Sequence, residues 1–376
     1  MNDLLQSIIS ASYPLLKEEL ALSFTQIGAI SLVYQLASSV FQPVVGFVYD
    51  KWPNYRSMPI GMCFTLTGLF ILAFADAVWL ISIAVFLVGI GSATLHPEAS
   101  RITSLAAGPR RGFAQSLFQV GGNLGGSFGP LLVAAVVSVY GRHYIACFCI
   151  ISMIGIACTV PICKWYKSYL EGIREKHSSL RPHVNPPLKT GATIAVIFVL
   201  MVLIFSKYIY MASLTNYYTF YLMDKFSVSV QFSQVCLFVF LFATAAGTLV
   251  GGPLGDRIGR KWVIWISILG TAPFSLVMPH LNLAWTIVFS FFVGFMLSSA
   301  FPAILLYSQE LLPNKLGLVS GLFFGFAFGV AGIAAAILGH FADAYGVSAI
   351  YRFCCYTPLL GCVAVFLPNL KKYQVR

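Results

Sequence analysis

Charge is scarce in this sequence. Only 9% of its 376 residues are Asp, Glu, Lys or Arg, whereas a water-soluble domain carries about 25%. So few charged side chains cannot clothe a water-facing surface, which excludes an ordinary soluble fold. Extended polar tracts are missing too, apart from one segment, Lys167 to Lys189. The 32 Phe and 18 Tyr exclude a disordered chain, because so much aromatic surface does not stay solvated. Nine cysteines are present, but none forms a CxxC pair and none shows metal-ligand spacing. They lie in or beside apolar runs and read as small hydrophobes. No nucleophile–base pair, metal constellation or phosphate-binding loop is visible, so neither an enzyme nor a cofactor is expected.

What is present is apolar: 59% of the residues are hydrophobic. The bilayer is the remaining solvent, and a helix needs roughly 20 apolar residues to span it. Twelve apolar runs can be traced. The first, Asn2 to Leu16, is short of a span and reads as an incomplete helix. Five more follow, from about Phe24, Met58, Val78, Gly112 and His143, the last ending at Trp165. After the polar segment come runs from about Ala192, Val230, Trp262, Leu283, Leu316 and Val347, closing at Leu367. The expected fold is therefore all-α and membrane-embedded. The expected division is a six-helix bundle over 1–165, a basic linker over 166–190 and a second six-helix bundle over 191–376.

The formal net charge of +11 is a matter of placement. If the linker side is taken as inside, 18 of the 23 Lys and Arg residues fall on that side. Four, Lys17, Arg142, Lys225 and Arg352, fall on the other, and Lys207 lies within a run. Positive charge collects on the cytoplasmic side of membrane proteins. Both termini and the linker are therefore expected in the cytoplasm, with the chain in the inner membrane. The same placement argues against a nucleic-acid partner.

The halves echo each other. Gly46-Phe-Val-Tyr-Asp50-Lys51 matches Gly252-Pro-Leu-Gly-Asp256-Arg257. His96-Pro97-Glu98 matches Ser308-Gln309-Glu310 in position, and Gly112 to Phe118 matches Gly317 to Phe323. A duplicated six-helix unit with a site between its copies is a transporter architecture.

Charges inside spans are costly, so each is a functional candidate. Asp3, His96, Glu98 and Glu310 are candidates for proton coupling, because low dielectric lets a carboxylate take up and release a proton. Each has a structural alternative: a helix-end pair with Arg101 for Glu98, a buried pair for Asp3, and a gate contact for Glu310. Lys207 lies too deep for an interfacial belt and suits an anionic substrate. Lys207, Tyr210, Met211, Leu214, Tyr217, Tyr218 and Tyr221 are read as one helical stripe. Gln35, Gln42, Gln115, Gln119 and Asn123 add polar groups that could face the same cavity. Within this set Lys207, Tyr210, Tyr217, Gln35, Gln119 and Asn123 are the expected substrate-binding residues.

Two motifs carry a family resemblance. Gly252-Pro-Leu-Gly-Asp256-Arg257-Ile-Gly259-Arg260-Lys261 resembles the loop signature of the major facilitator superfamily; Asp50 and Lys51 remain of its first-half copy. Small residues permit the tight turn, and Asp256 paired with Arg257 or Arg260 would latch a cytoplasmic gate. Gly125-x-x-x-Gly129-Pro130 resembles the antiporter motif of proton-coupled drug exporters in that superfamily. Plain small-residue helix packing is the alternative. Asn2-Asp3, Gln35 to Ser39, Gln42 to Gly46, Phe118 to Asn123, Phe205 to Tyr208 and Gln309 to Pro313 resemble one branch of those exporters, which takes a phosphonate antibiotic.

The resemblance implies a twelve-helix, monomeric exporter of small drugs driven by protons through alternating access. A metabolite transporter of the same fold stands as the alternative. In the family the first helix extends upstream of the Asn-Asp pair, whereas here Met1 directly precedes Asn2. An N-terminally truncated, inactive copy is thus a further expectation.

Overall fold

In hydrocarbon a backbone has no water to bond with, so each apolar run closes its own hydrogen bonds as helix. The computed structural model describes residues 1–106, 111–175, 188–312 and 316–370. The side chains of Asp50, Lys51, Gln115 and Asp256 lie outside that description, as do residues 176–187 of the expected linker. Among the described residues, 11 helices are long and apolar enough to cross a membrane.

The first run is broken: α1 (Asn2–Ala11) gives way at Ser12 to α2 (Tyr13–Glu19), in which Pro14 stands in the first turn, where its missing N–H costs nothing. α3 (Phe24–Lys51) starts at a capping box, Ser23 with Gln26. α4 (Ser57–Phe74) and α5 (Val78–Ala106) follow. α6 (Arg111–Leu132) passes through a π-helical turn, Val133–Val137, into α7 (Ser138–Tyr140). The π turn begins three residues after Pro130, which cannot donate to the helix ladder. After Gly141, at φ 96°, a 3-10 turn leads into α8 (Cys149–Glu175).

α8 runs ten residues past the expected boundary at Trp165. Trp165 stacks on Tyr169 at 5.3 Å, and Lys167 and Glu171 pair at i, i+4, so the helix continues with a polar surface. The second half comprises α9 (Thr190–Phe226), α10 (Val230–Ile258), α11 (Arg260–Leu269) broken into α12 (Ala272–Val277), α13 (Leu283–Leu311), α14 (Leu316–Tyr345) and α15 (Val347–Cys354). The last span is only half α-helix and finishes as a 3-10 helix, Thr357–Phe366.

Two cross-half seams hold the molecule together: α3 lies along α14, and α6 along α10. At Gly28 the approach is so close that a Cβ would run into the carbonyl of Ala335. The far end, opposite the linker, is tied by a set of polar contacts between helices. Asp343 caps α3 by accepting from the Phe24 N–H (2.9 Å), the Thr25 N–H (2.7 Å) and the Thr25 hydroxyl (2.5 Å). The Ser31 hydroxyl donates to Asn216 at 3.0 Å, Tyr217 to the Ala335 carbonyl at 2.5 Å, and the Gln234 amide to the Ala11 carbonyl at 2.8 Å. Within the first half, buried Arg142 pairs with Asp76 at 2.8 Å and Glu19 at 3.3 Å and donates to the Ala75 carbonyl.

Candidate functional site

The glycines of α6 let α1 approach its backbone. A Cβ at Gly129 would strike Ser7, and one at Gly122 would strike the carboxylate of Asp3. Gly125 faces Leu4, and Pro130 closes the same stretch. This close seat aims Asp3 into a cavity of about 240 Å³ between the halves. α1 supplies Asp3 and Gln6 to its wall, α5 supplies His96, and α6 supplies Phe118, Gln119 and Asn123. The second half supplies Lys207, Tyr208 and Met211 from α9, with Thr244 and Thr248 from α10. Ser298 and Phe301 of α13 and Phe324 and Phe328 of α14 complete it.

Two charged centres face this space. Asp3 lies 3.4 Å from the His96 Nε2. Asn2 donates to Asp3 at 3.5 Å, while the Thr65 hydroxyl donates to Asn2 at 3.3 Å. The Tyr34 hydroxyl donates to Gln6 at 2.5 Å behind the pair. The other centre is Lys207, 4% exposed. Its ammonium lies 5.1 Å from the ring centres of both Tyr208 and Phe301. Among the described residues, no carboxylate lies within ion-pair distance of it. A desolvated cation held only by aromatic faces is left short of counter-charge. Between the centres, Asn123 donates to Thr248 at 2.8 Å across the α6–α10 seam, and the Gln119 Nε2 is buried without a partner.

The structure thus brings together Asp3, His96, Lys207, Gln119 and Asn123. Glu98 does not join them: it is buried beside Arg101 at 3.7 Å, and Arg101 donates to the Tyr49 carbonyl, tying α5 to α3. Glu310 pairs with Arg260 at the linker end. Tyr210 and Tyr217 are fully buried away from the cavity, Tyr217 against α14. At about 100° per residue the stripe drawn through them drifts off the face that Lys207, Tyr208 and Met211 present. Gln35 packs on Gly332, outside the cavity.

In the loop motif, Gly259 turns the chain at φ 99° between α10 and α11, and Gly252 and Arg257 lie on the last turns of α10. Asp50, Lys51 and Asp256 are helical in backbone, with side chains outside the described part. Sequence reading missed Thr244–Thr248 and Phe324–Phe328. Each is an i, i+4 pair, the spacing that puts two side chains on one helix face.

A family model described as Major Facilitator Superfamily matches residues 1–220 and again 196–376. The chain is 51% identical to the fosmidomycin resistance protein of Escherichia coli over 369 residues, 98% of this chain and 90% of that protein. It is 38% identical to the uncharacterized MFS-type transporter YfnC of Bacillus subtilis, over 100% of this chain and 91% of that one. Its identity to the probable sulfoacetate transporter SauU of Cupriavidus necator is 25%, over 88% of this chain and 81% of that protein. With its all-helical, multi-pass architecture, the chain belongs to the Major Facilitator Superfamily, a family of membrane transporters and not of enzymes.

Proposed function

We propose that this transporter exports small organic anions, fosmidomycin among them, in exchange for protons. The carrying observation is the pair of centres in one cavity: Lys207, a buried cation with no carboxylate partner among the described residues, and the Asp3–His96 pair. Lys207 takes the anionic group, and a phosphonate would supply the counter-charge it lacks. Asp3 and His96 hold the proton. Glu98, paired with Arg101, acts as a structural tie.

The monomer's two bundles, 1–165 and 191–376, rock about the cavity, so the anion crosses in one half-turn and the proton in the other. The Arg260–Glu310 pair and the turn at Gly259 belong to the gate on the linker side, which faces the cytoplasm in the inner membrane. The relatives named for fosmidomycin and for sulfoacetate, both small anions, support this substrate class. A cavity of about 240 Å³ sits below the usual range for drug-sized ligands, roughly 300–1,000 Å³. It therefore favours a small metabolite anion as the second reading of the natural cargo.

The test uses the full-length protein in proteoliposomes with an imposed proton gradient, labelled fosmidomycin and a pH-reporting dye. Fosmidomycin movement accompanied by opposite proton movement is expected, both abolished by a protonophore and by Asp3→Asn. Gradient-independent movement, or exchange retained by Asp3→Asn, would refute the scheme.

A further inference from the structure

His96 is held by more than Asp3. Its ring is stacked on Phe324 of α14, centroids 6.4 Å apart at 18°, and lies 6.1 Å from Phe328. His96 belongs to the first half and both phenylalanines to the second, and the contact lies nearer the linker-side ends of α5 and α14 than the far ends. The aim of the two rings is set by packing. Gly321 and Gly325 of α14 rest on Pro43 of α3, and Gly329 on Ser39. Phe324 and Phe328 each sit one residue before a glycine of that stripe, which turns them towards the cavity. Phe324 is further fixed by an edge contact with Phe301 at 5.0 Å, and Phe301 carries Lys207 on its face.

We propose that Phe324 and Phe328 form an aromatic clamp on His96 across the two halves, which makes proton retention at the Asp3–His96 pair depend on closure of the linker side. This rests on the exchange proposed above. A neutral imidazole gains little from ring faces, whereas an imidazolium gains a cation–π attraction. While α5 and α14 are apposed, the clamp favours the protonated form. When the halves part on the linker side, the rings withdraw and the proton is held less tightly, where it must leave.

Other groups around His96 do not provide this alternation. Asp3 of α1 and Glu98 and Arg101 of α5 belong to the same half and move with it. Tyr34 of α3 stands behind Asp3 on Gln6, and α4 and α6 present Thr65, Gln119 and Asn123, none of them charged. From α9 of the second half, Lys207 repels a second positive charge most when the halves are closest, so it works against this alternation and cannot supply it. Phe324 and Phe328 are therefore positioning residues.

The test is the pH profile of fosmidomycin exchange in proteoliposomes. At 6.1 and 6.4 Å the rings stand at the outer reach of a cation–π contact, so losing them corresponds to about a two- to fivefold loss of proton affinity, or about half a pH unit. The Phe324→Leu/Phe328→Leu protein should show its midpoint displaced to lower pH by about that much, and the Tyr/Tyr protein should restore it. Phe328→Leu alone, the milder change, should move it part of the way. A midpoint unmoved in the Leu variants, or moved equally by Leu and Tyr, would overturn the clamp. A wild-type rate that is flat with pH would instead refute the exchange, and the clamp with it.

Discussion

Replacing Lys207 by Met should change two quantities in opposite directions. Lys207 is 4% exposed and, among the described residues, has only ring faces as partners, each 5.1 Å away. Burying a charge costs several kcal/mol even after relaxation, and two cation–π contacts return about 2 kcal/mol or somewhat more. A net cost of about 1–3 kcal/mol therefore remains in the empty protein. Met fills much the same volume without charge, so Lys207→Met should raise the thermal stability of the unliganded transporter.

Under the proposed exchange, fosmidomycin binding should weaken at the same time. A hydrogen bond to a charged partner contributes about 1.5–3 kcal/mol, so Kd should rise roughly 10- to 150-fold. Thermal unfolding in detergent with and without fosmidomycin reads both effects together. Lys207→Arg, which keeps the charge, should retain most of the ligand-induced stabilisation. A Met variant that is no more stable than wild type and binds within twofold of it would refute the assignment of Lys207 as the anion site.

Three further outcomes follow from the packing. Asp343→Ala removes the carboxylate that caps α3 from α14. Because Asp343 is exposed, the loss should be only about 1 kcal/mol, or roughly fivefold in favour of far-end opening; spin-label distances between the far ends of α3 and α14 would report it. Gly28→Val would push a side chain into the Ala335 carbonyl and should cost about 1–3 kcal/mol, read as a lower unfolding temperature. Arg142→Met should cost about 1–3 kcal/mol, chiefly through the Ala75 carbonyl left without its donor. The ion pairs contribute less, since Asp76 is 82% exposed, so high salt should not reproduce the destabilisation.

Most of the fold was legible because a span is a matter of length and apolarity, which need no tertiary information. Gly141, Gly259 and Gly346 mark turns where the chain takes a positive φ, and glycine is the residue that permits one. The continuation of α8 to Glu175 was not legible. Lys167 and Glu171 look like linker by composition, and they pair only once the chain is helical.

The site was half legible. Asp3, His96 and Lys207 stand out singly as polar residues in apolar runs. That Asp3 meets His96, 93 positions away in sequence, follows from the seat of α1 on α6 and not from spacing. Tyr210 and Tyr217 were drawn into the site by a periodicity that holds for one turn and drifts over three. Phe324 and Phe328 were hidden among 32 phenylalanines; only their shared face towards His96 distinguishes them.

The opposition of Lys207 and Asp3 in one cavity also has an electrical consequence. With Asp3 ionised the two charges cancel, so the empty cavity is neutral. A bound monoanion takes it to one negative charge, and a bound proton takes it to one positive charge. Under the exchange proposed above, neither half-turn is electrically silent. Outward passage of the loaded cavity and inward return of the protonated one both carry current in the direction that an inside-negative membrane drives. Each full crossing of one charge is worth about 2.3 kcal/mol per 100 mV, so membrane voltage would power this transporter alongside the pH difference.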